Sequence, residues 1–319
     1  MSEAGFTYLQ ELHPHERDSH IRFEDEGHLY FINGDLCRKQ DGWTSCTTFV
    51  HSLFPKFNAD EIITRIMRGK DFHNGPYAGM TRQQIKQKWD NNGKEACRIG
   101  SKFHLELPET YYNNEPLEDD DELNEFRVKF MKFVDDHQHL TPYRTEMMVY
   151  CEELKITGSI DMIFEEPDGT LSIYDWKMSK GIDMTTKYKN DTADHPLIQH
   201  LVNKNGVHYS LQLNIYKFLL EKHYGKKIKD LYLIRFYNNV ETYEKIKCLD
   251  LQNEVRDLFE NRLEKLTPKH DPKEPPVIVM YQNSDTPDST AAETPVTVTT
   301  HRPVTRSQSK GDDFSECLL

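Results

Sequence analysis

Apolar residues recur in two rhythms along this chain, and the rhythm changes near residue 140. Before that point the spacing is mostly helical. Residues 45–54 and 59–69 read as helices, the second capped by Asn58 and carrying Ile62, Ile63, Ile66 and Met67 on one side. Thr81-Arg82-Gln83-Gln84 fits a capping box and opens a helix running through Trp89. Ile99, Phe103 and Leu107 mark a further helix over 96–107, and Phe126, Phe130, Phe133 and Val134 mark a fifth. A hairpin precedes them all, because the extended segments 28–32 and 35–39 flank Asn33-Gly34, the preferred two-residue turn.

Beyond residue 140 the period shortens to that of strands. Residues 145–151, 156–165 and 170–177 are rich in β-branched and apolar side chains, and Glu166-Pro167-Asp168-Gly169 supplies a turn between the last two. A loop at 181–206, a helix containing Gln212, strands at 231–238 and 243–249 and a closing helix at 251–266 follow. The order of elements predicts an α/β fold with a central mixed sheet flanked by helices and a helical N-terminal cap. The expected organisation is a hairpin and cap over 1–95, a core over 96–267 and a tail over 268–319. The tail is rich in Pro, Thr and Ser and is expected to be disordered, since it cannot bury enough apolar surface to order.

Composition narrows the classes. At 319 residues the chain can bury one full core with additions. Its 36% hydrophobic and 29% charged residues predict a soluble protein, and no apolar run approaches the ~20 residues a membrane span needs. The first residues carry no basic region followed by an apolar stretch, so an intracellular (cytoplasmic or nuclear) location is expected. Six cysteines, none in a C-x-x-C pair, predict reduced thiols and exclude the usual spacing of a cysteine-ligated iron–sulfur cluster. The net charge of −13 runs against a nucleic-acid partner, although the acidity is partly segregated. Residues 115–125 hold seven acids and no base, and residues 270–319 hold eight acids against four bases. Protein partners are expected at that loop and at the tail.

The chemistry concentrates on the strand at 170–177. Side chains alternate along a strand, so Leu171, Ile173, Asp175 and Lys177 share one face, and Tyr174 and Trp176 take the other. An apolar face that ends in a carboxylate and an ammonium is costly to bury unless something binds there. Asp161, on the neighbouring strand, supplies a second carboxylate, and two carboxylates suit a hard divalent cation. A lysine beside such an ion can position water for attack on a phosphodiester.

The remaining residues turn this local pattern into a family resemblance. Gly100-Ser101-Lys102-Phe103-His104, Glu146 in Arg144-Thr145-Glu146-Met147, Gly158-Ser159-Ile160-Asp161, Asp175-Trp176-Lys177 and Gln212-Leu213-Asn214-Ile215-Tyr216 occur in that order over about residues 96–220. The set resembles the PD-(D/E)XK nuclease superfamily, in its RecB-like branch, which includes CRISPR-associated and viral exonucleases. Ser101 stands where Thr is common, and Met178-Ser179 follows the lysine in place of Thr-Gly or Thr-Ser.

The resemblance implies a restriction-endonuclease-like core and a metal-dependent deoxyribonuclease using one or two Mg²⁺ or Mn²⁺ ions. It implies metal binding by His104, Glu146, Asp161, Asp175 and the Trp176 carbonyl. Lys177 is then the water-orienting catalytic residue, acting with Asp175, Asp161 and Glu146, and Gln212 and Tyr216 contact phosphate or hold Lys177. Gly100 is expected to let its helix approach closely. DNA is the expected partner, exonucleolytic action on DNA ends the expected activity, and DNA repair or recombination the expected setting. A structure-specific endonuclease and a non-catalytic nucleic-acid-binding protein on the same fold are the alternatives.

Overall fold

The two rhythms resolve into a six-stranded mixed sheet covered by helices on both faces. The computed structural model of the protein describes residues 7–24, 27–188 and 190–267, so the tail expected over 268–319 and Lys189 lie outside it. The described residues through Leu266 belong to one compact unit.

In chain order the elements are α1 (Tyr8–Leu12), β1 (Ile21–Glu24), β2 (Leu29–Ile32), β3 (Asp35–Leu36), β4 (Thr44–Ser45), α2 (Cys46–His51), α3 (Ala59–Arg68) and α4 (Arg82–His104). A π-helical turn at Leu105–Glu109 leads into α5 (Thr110–Tyr112) and α6 (Asn124–Asp136). Then come β5 (Thr141–Cys151), β6 (Ile156–Glu165), β7 (Leu171–Lys177), α7 (Asn205–His223), β8 (Ile228–Arg235), β9 (Glu244–Lys247) and α8 (Gln252–Leu266). Among the described residues no helix is long and apolar enough to cross a membrane.

The expected hairpin turns at Asn33 and Gly34, both at positive φ, and gains β1 to make a three-stranded antiparallel sheet. The helices expected over 81–89 and 96–107 are one helix, α4, with both capping-box hydrogen bonds in place at Thr81 and Gln84. Nothing between them breaks it, because the only interruption, Gly93, costs a helix interior about 1 kcal/mol and is itself buried. α4 therefore runs through residue 95, and β4 and α2 join the main sheet and its core, so the N-terminal 95 residues are continuous with the rest. Cys37, Cys46, Cys151 and Cys248 are free thiols as expected. Cys97 is disulfide-bonded and departs from that expectation.

β6 is the axis of the main sheet. One edge pairs antiparallel with β5 along almost its whole length. The other edge is shared: β7 pairs antiparallel with Met162–Glu165 and β4 pairs parallel with Ile156 and Thr157. Between them, residues 158–161 face no strand on that side, which leaves a window in the sheet. β8 extends the sheet parallel to β7, and β9 closes it antiparallel to β8.

Two cores grip the sheet, and a third ties the hairpin to it. One face packs α2, α7 and α8 against Met147, Val149, Ile160, Ile163, Ile173 and Leu233. The other packs Phe103, Phe130 and Phe133, from α4 and α6, against Met162, Phe164, Tyr174 and Trp176. Beside this aromatic core, Ile21, Tyr30 and Ile32 of the hairpin cover Tyr150. Phe130 and Phe133 meet the Trp176 ring edge-to-face at 6.1 and 5.2 Å between centroids. Such pairs add about 0.5–1.5 kcal/mol each beyond burial and fix the backbone of Trp176, which borders the window.

Candidate active site

β6 and β7 part at the window, and each places an acid at the parting. Their ladder ends at Met162 opposite Tyr174, and the next residues inward are Asp161 and Asp175. The missing rung is replaced by a side chain, because the Trp176 N–H donates to Asp161 Oδ2 at 2.9 Å. Side-chain alternation also slips here. Ile160 packs toward α7, Met162 into the aromatic core and Ile163 toward α7 again.

On β5 the residue between the pairs Thr145–Met162 and Met147–Ile160 is Glu146, with φ of 41°. A left-handed backbone at a non-glycine residue costs on the order of 1–3 kcal/mol and persists only where surrounding structure enforces it. Glu146 and Asp161 thus meet the end of α4, whose last residue is His104.

His104 Nδ1 lies 3.5 Å from Glu146 Oε1 and 3.6 Å from Asp161 Oδ2. One ligand atom from each of the three falls within 4.8 Å of the others. One imidazole nitrogen with two carboxylates is a donor set that suits Mn²⁺ or Mg²⁺. Ser159 Oγ donates to Glu146 Oε2 at 2.9 Å, and His104 Nε2 lies 3.2 Å from the Trp176 carbonyl oxygen. Burial alone would lower the His104 pKa, but the Asp161 charge and then Glu146 override it and raise it to about 9. Without an ion, a proton on His104 offsets the local negative charge. Gly100 does not serve close helix packing as expected, since a Cβ there would meet nothing within 4 Å.

Asp175 and Lys177 stand on the other side of the window, on the face that carries Leu171 and Ile173. Lys177 Nζ lies 2.5 Å from Asp175 Oδ2, although the angle is poor for a hydrogen bond. The ammonium also sits 4.8 Å from the centroid of the Tyr209 ring. Burial, then repulsion from Asp161, pushes the Asp175 pKa up to about 6, with Lys177 partly offsetting both. Asp161 is likewise raised by burial, against the pull of His104 and Lys177. Burial lowers the Lys177 pKa, but Asp175 and then Asp161 reverse this and raise it. The structure therefore groups His104, Glu146 and Asp161 and holds Asp175 in an ion pair across from them.

Gln212 and Tyr216 bond to each other, Gln212 Nε2 donating to the Tyr216 hydroxyl at 3.2 Å and to Thr47 Oγ1 at 3.0 Å. The described contacts give neither a bond to Lys177; Tyr209, one turn before Gln212, packs there instead. α7 is buried nearly all round rather than amphipathic, with Leu211, Leu213, Ile215, Leu219 and Leu220 all in the core. Tyr216 leans into the window, where a Cβ on Gly158 would lie 2.7 Å from its Cε1. The motif order does not mark Ser159, Tyr209 or Thr47 as functional. Ser159 and Tyr209 were open to that inference, one from its place within the Gly-Ser-Ile-Asp strand and the other from its spacing to Gln212, whereas Thr47 lies far from both in sequence.

Comparison with known proteins bears on the family that the motifs suggest. Two curated relatives are ATP-dependent helicase/nuclease subunits from Clostridium perfringens, that of strain ATCC 13124 at 31% identity and that of strain 13 at 30%, each over 86 residues. That stretch is 27% of this chain, which spans only about 5% of the length of those relatives. Among solved structures, a provisionally named exonuclease from Eubacterium rectale is 10% identical, with a TM-score of 0.36, over 72% of this chain and 82% of that one. At that level the likeness carries no weight. The family model described as the PD-(D/E)XK nuclease superfamily matches residues 48–292, most of the chain, and the protein belongs to that superfamily.

Proposed function

We propose that this nuclease hydrolyses DNA phosphodiester bonds with a divalent metal ion, Mg²⁺ or Mn²⁺, and acts from DNA ends. The observation that carries the reading is the meeting of His104, Glu146 and Asp161 at the window, with the Lys177–Asp175 pair beside them. His104, Glu146 and Asp161 would hold an ion, with Asp175 and the Trp176 carbonyl as neighbouring oxygen donors. A bound ion would lower the pKa of its water and polarise a phosphoryl oxygen. Lys177, carried on the Tyr209 ring, orients the attacking water and offsets negative charge growing on the phosphorane. Ser159 holds the Glu146 carboxylate in place. Gln212 and Tyr216 support this arrangement from α7 by filling the window behind Gly158.

Protein recruitment by residues 115–125 is a separate proposal. Asp119 pairs with Arg127, Asp120 with Lys102, Glu122 with Arg98 and Lys102, and Glu125 with Lys129, which leaves Glu115, Glu118 and Asp121 exposed and outside these ion pairs. The test of the main reading is a product ladder from end-labelled linear DNA and covalently closed circles in Mg²⁺ or Mn²⁺. Shortening from the ends of linear DNA, with circles intact, is the expected result. Linearisation of circles at a matching rate would establish the endonuclease alternative. No cleavage of either by metal-loaded protein would leave the non-catalytic reading.

A further inference from the structure

The charge of this protein is unevenly distributed in a way the catalytic window does not use. Residues 56–89, which span α3, the following turn and the first part of α4, hold seven bases against three acids. In a chain of net −13 this segment alone carries +4. Arg65 is paired with Glu61, and Arg82 and Lys86 share Asp60. Lys56, Arg68 and Lys70 are exposed and, among the described residues, have no carboxylate partner. Lys88 is exposed and lies 5.6 Å from the Tyr77 ring centroid.

Aromatic rings are interleaved with these bases. Phe57 is 47% exposed although its ring centroid is 6.1 Å from that of Trp89. Tyr77 meets Trp89 edge-on, and the Trp89 indole N–H donates to the Tyr77 hydroxyl at 2.9 Å. Phe57 therefore rests on an anchored Trp–Tyr pair while keeping much of its own surface in water. Bases with flat rings among them match a single-stranded nucleic acid, whose phosphates need cations and whose unpaired bases need stacking platforms. A duplex offers the phosphates but keeps its bases stacked on one another.

α4 links this surface to the window. Trp89 and His104 are fifteen residues apart on one helix, so they lie roughly 22 Å apart along its axis and about 60° apart around it. The far half of α4 is neutralised, because Arg98 and Lys102 are engaged by Glu95, Asp120 and Glu122. The uncompensated bases are left at the near end.

We infer that the α3–α4 surface around Phe57 is a docking site for single-stranded DNA, stacking a base on Phe57 beside Lys56 and Lys88 and holding more distant phosphates with Arg68 and Lys70 at the far end of α3, so that the strand can run along α4 the roughly 22 Å from Trp89 to His104 at the window. This deepens the nuclease reading and rests on it. At about 3.4 Å per nucleotide of a stacked strand, that distance corresponds to roughly six nucleotides.

The test measures binding and chemistry apart. Anisotropy of a labelled 12-nucleotide single strand in EDTA reads docking without cleavage, and Mn²⁺-supported hydrolysis of thymidine 5′-(p-nitrophenyl) phosphate reads the window with a substrate too short to reach Phe57. Phe57→Ala should weaken 12-mer binding on the order of tenfold. Combined Arg68→Glu, Lys70→Glu and Lys88→Glu should flatten the salt dependence by about two in log–log slope. Both variants should keep the wild-type melting temperature and hydrolyse the small substrate normally. Unchanged 12-mer affinity in both variants would overturn the inference. Phe57→Ala binding as wild type while charge reversal weakens single strand and duplex equally would overturn the single-strand assignment. Absence of small-substrate hydrolysis by wild-type protein would instead count against the nuclease reading, and the EDTA binding result would stand by itself.

Discussion

The two sides of the window solve the same electrostatic problem in opposite ways. On the α4 side, Glu146 and Asp161 face an imidazole, and the three side chains stay 32, 13 and 26% exposed. Their charge raises the His104 pKa to about 9, and in the proposed function an arriving cation would take the place of that proton. On the α7 side, Asp175 is almost fully buried and balanced by a lysine held against it and against the Tyr209 ring. One side keeps its compensating charge exchangeable, and the other builds it in. A buried acid that depended on an exchangeable ion would be destabilising whenever the ion left, and the cost is smaller the more exposed the acid is. The comparison teaches which side is expected to respond to metal and which to the reaction itself.

The sharpest way to break that division is to remove the built-in charge. Lys177→Ala should lower cleavage on the order of 100- to 1000-fold or more while metal-supported DNA binding persists. Single-turnover rates in Mg²⁺ and Mn²⁺ check this, and near wild-type cleavage would remove the β7 strand from catalysis. On the other side, Asp161→Asn keeps an oxygen for the Trp176 N–H but removes the negative charge. Mn²⁺ binding followed by calorimetry should disappear together with cleavage, and the circular dichroism should remain native.

A smaller effect tests how the exchangeable side is held. Ser159→Ala removes the hydrogen bond that orients Glu146, and supporting bonds of this kind are typically worth 10- to 100-fold in metal affinity. The dissociation constant for Mn²⁺ should rise by that factor, with the rate at saturating metal little changed. A fall in the saturated rate with no change in affinity would place Glu146 with Lys177 instead. The smallest expected effect falls on the wall between the two sides. Gly158→Ala drives a methyl into the Tyr216 ring, and overpacking of this kind costs about 1–3 kcal/mol. Chemical denaturation should show that loss, and Tyr216→Phe, which keeps the ring, should not relieve it.

Much of this arrangement was readable before the structure. The alternation of Ile173, Asp175 and Lys177 against Tyr174 and Trp176 places these side chains on the faces where they are found. The order of the five motifs gives the family, and the acids on β5, β6 and β7 fall at one place in the sheet. What could not be read is where alternation fails. Glu146 and Asp161 come together through a left-handed residue and a slip in the pleat, and period-two reasoning assumes neither. Gly100 shows the converse problem, because a glycine in a motif invites a packing explanation that its open surroundings do not support. The join of two expected helices into α4 follows from interactions at its two ends and along its buried face, which outweigh the weak local preference at Asn91-Asn92-Gly93. A two-residue strand such as β4 has no periodicity to detect at all.

That short strand also fixes when the enzyme becomes an enzyme. Pairing of Thr44 and Ser45 with Ile156 and Thr157 joins positions about 110 residues apart, and such contacts carry a loop-closure cost that local hairpins avoid. The β5–β6–β7 meander is local and can form from its own sequence. The lower edge of the window waits for the N-terminal segment, and Thr47 behind Gln212 arrives with it. Arg262 then locks the junction, donating to the carbonyls of Gly42, Leu154 and Lys155 from the last helix of the described chain. The window is completed only when early, middle and late parts of the polypeptide have met, so a partly folded chain carries the acids and the lysine without yet carrying the site.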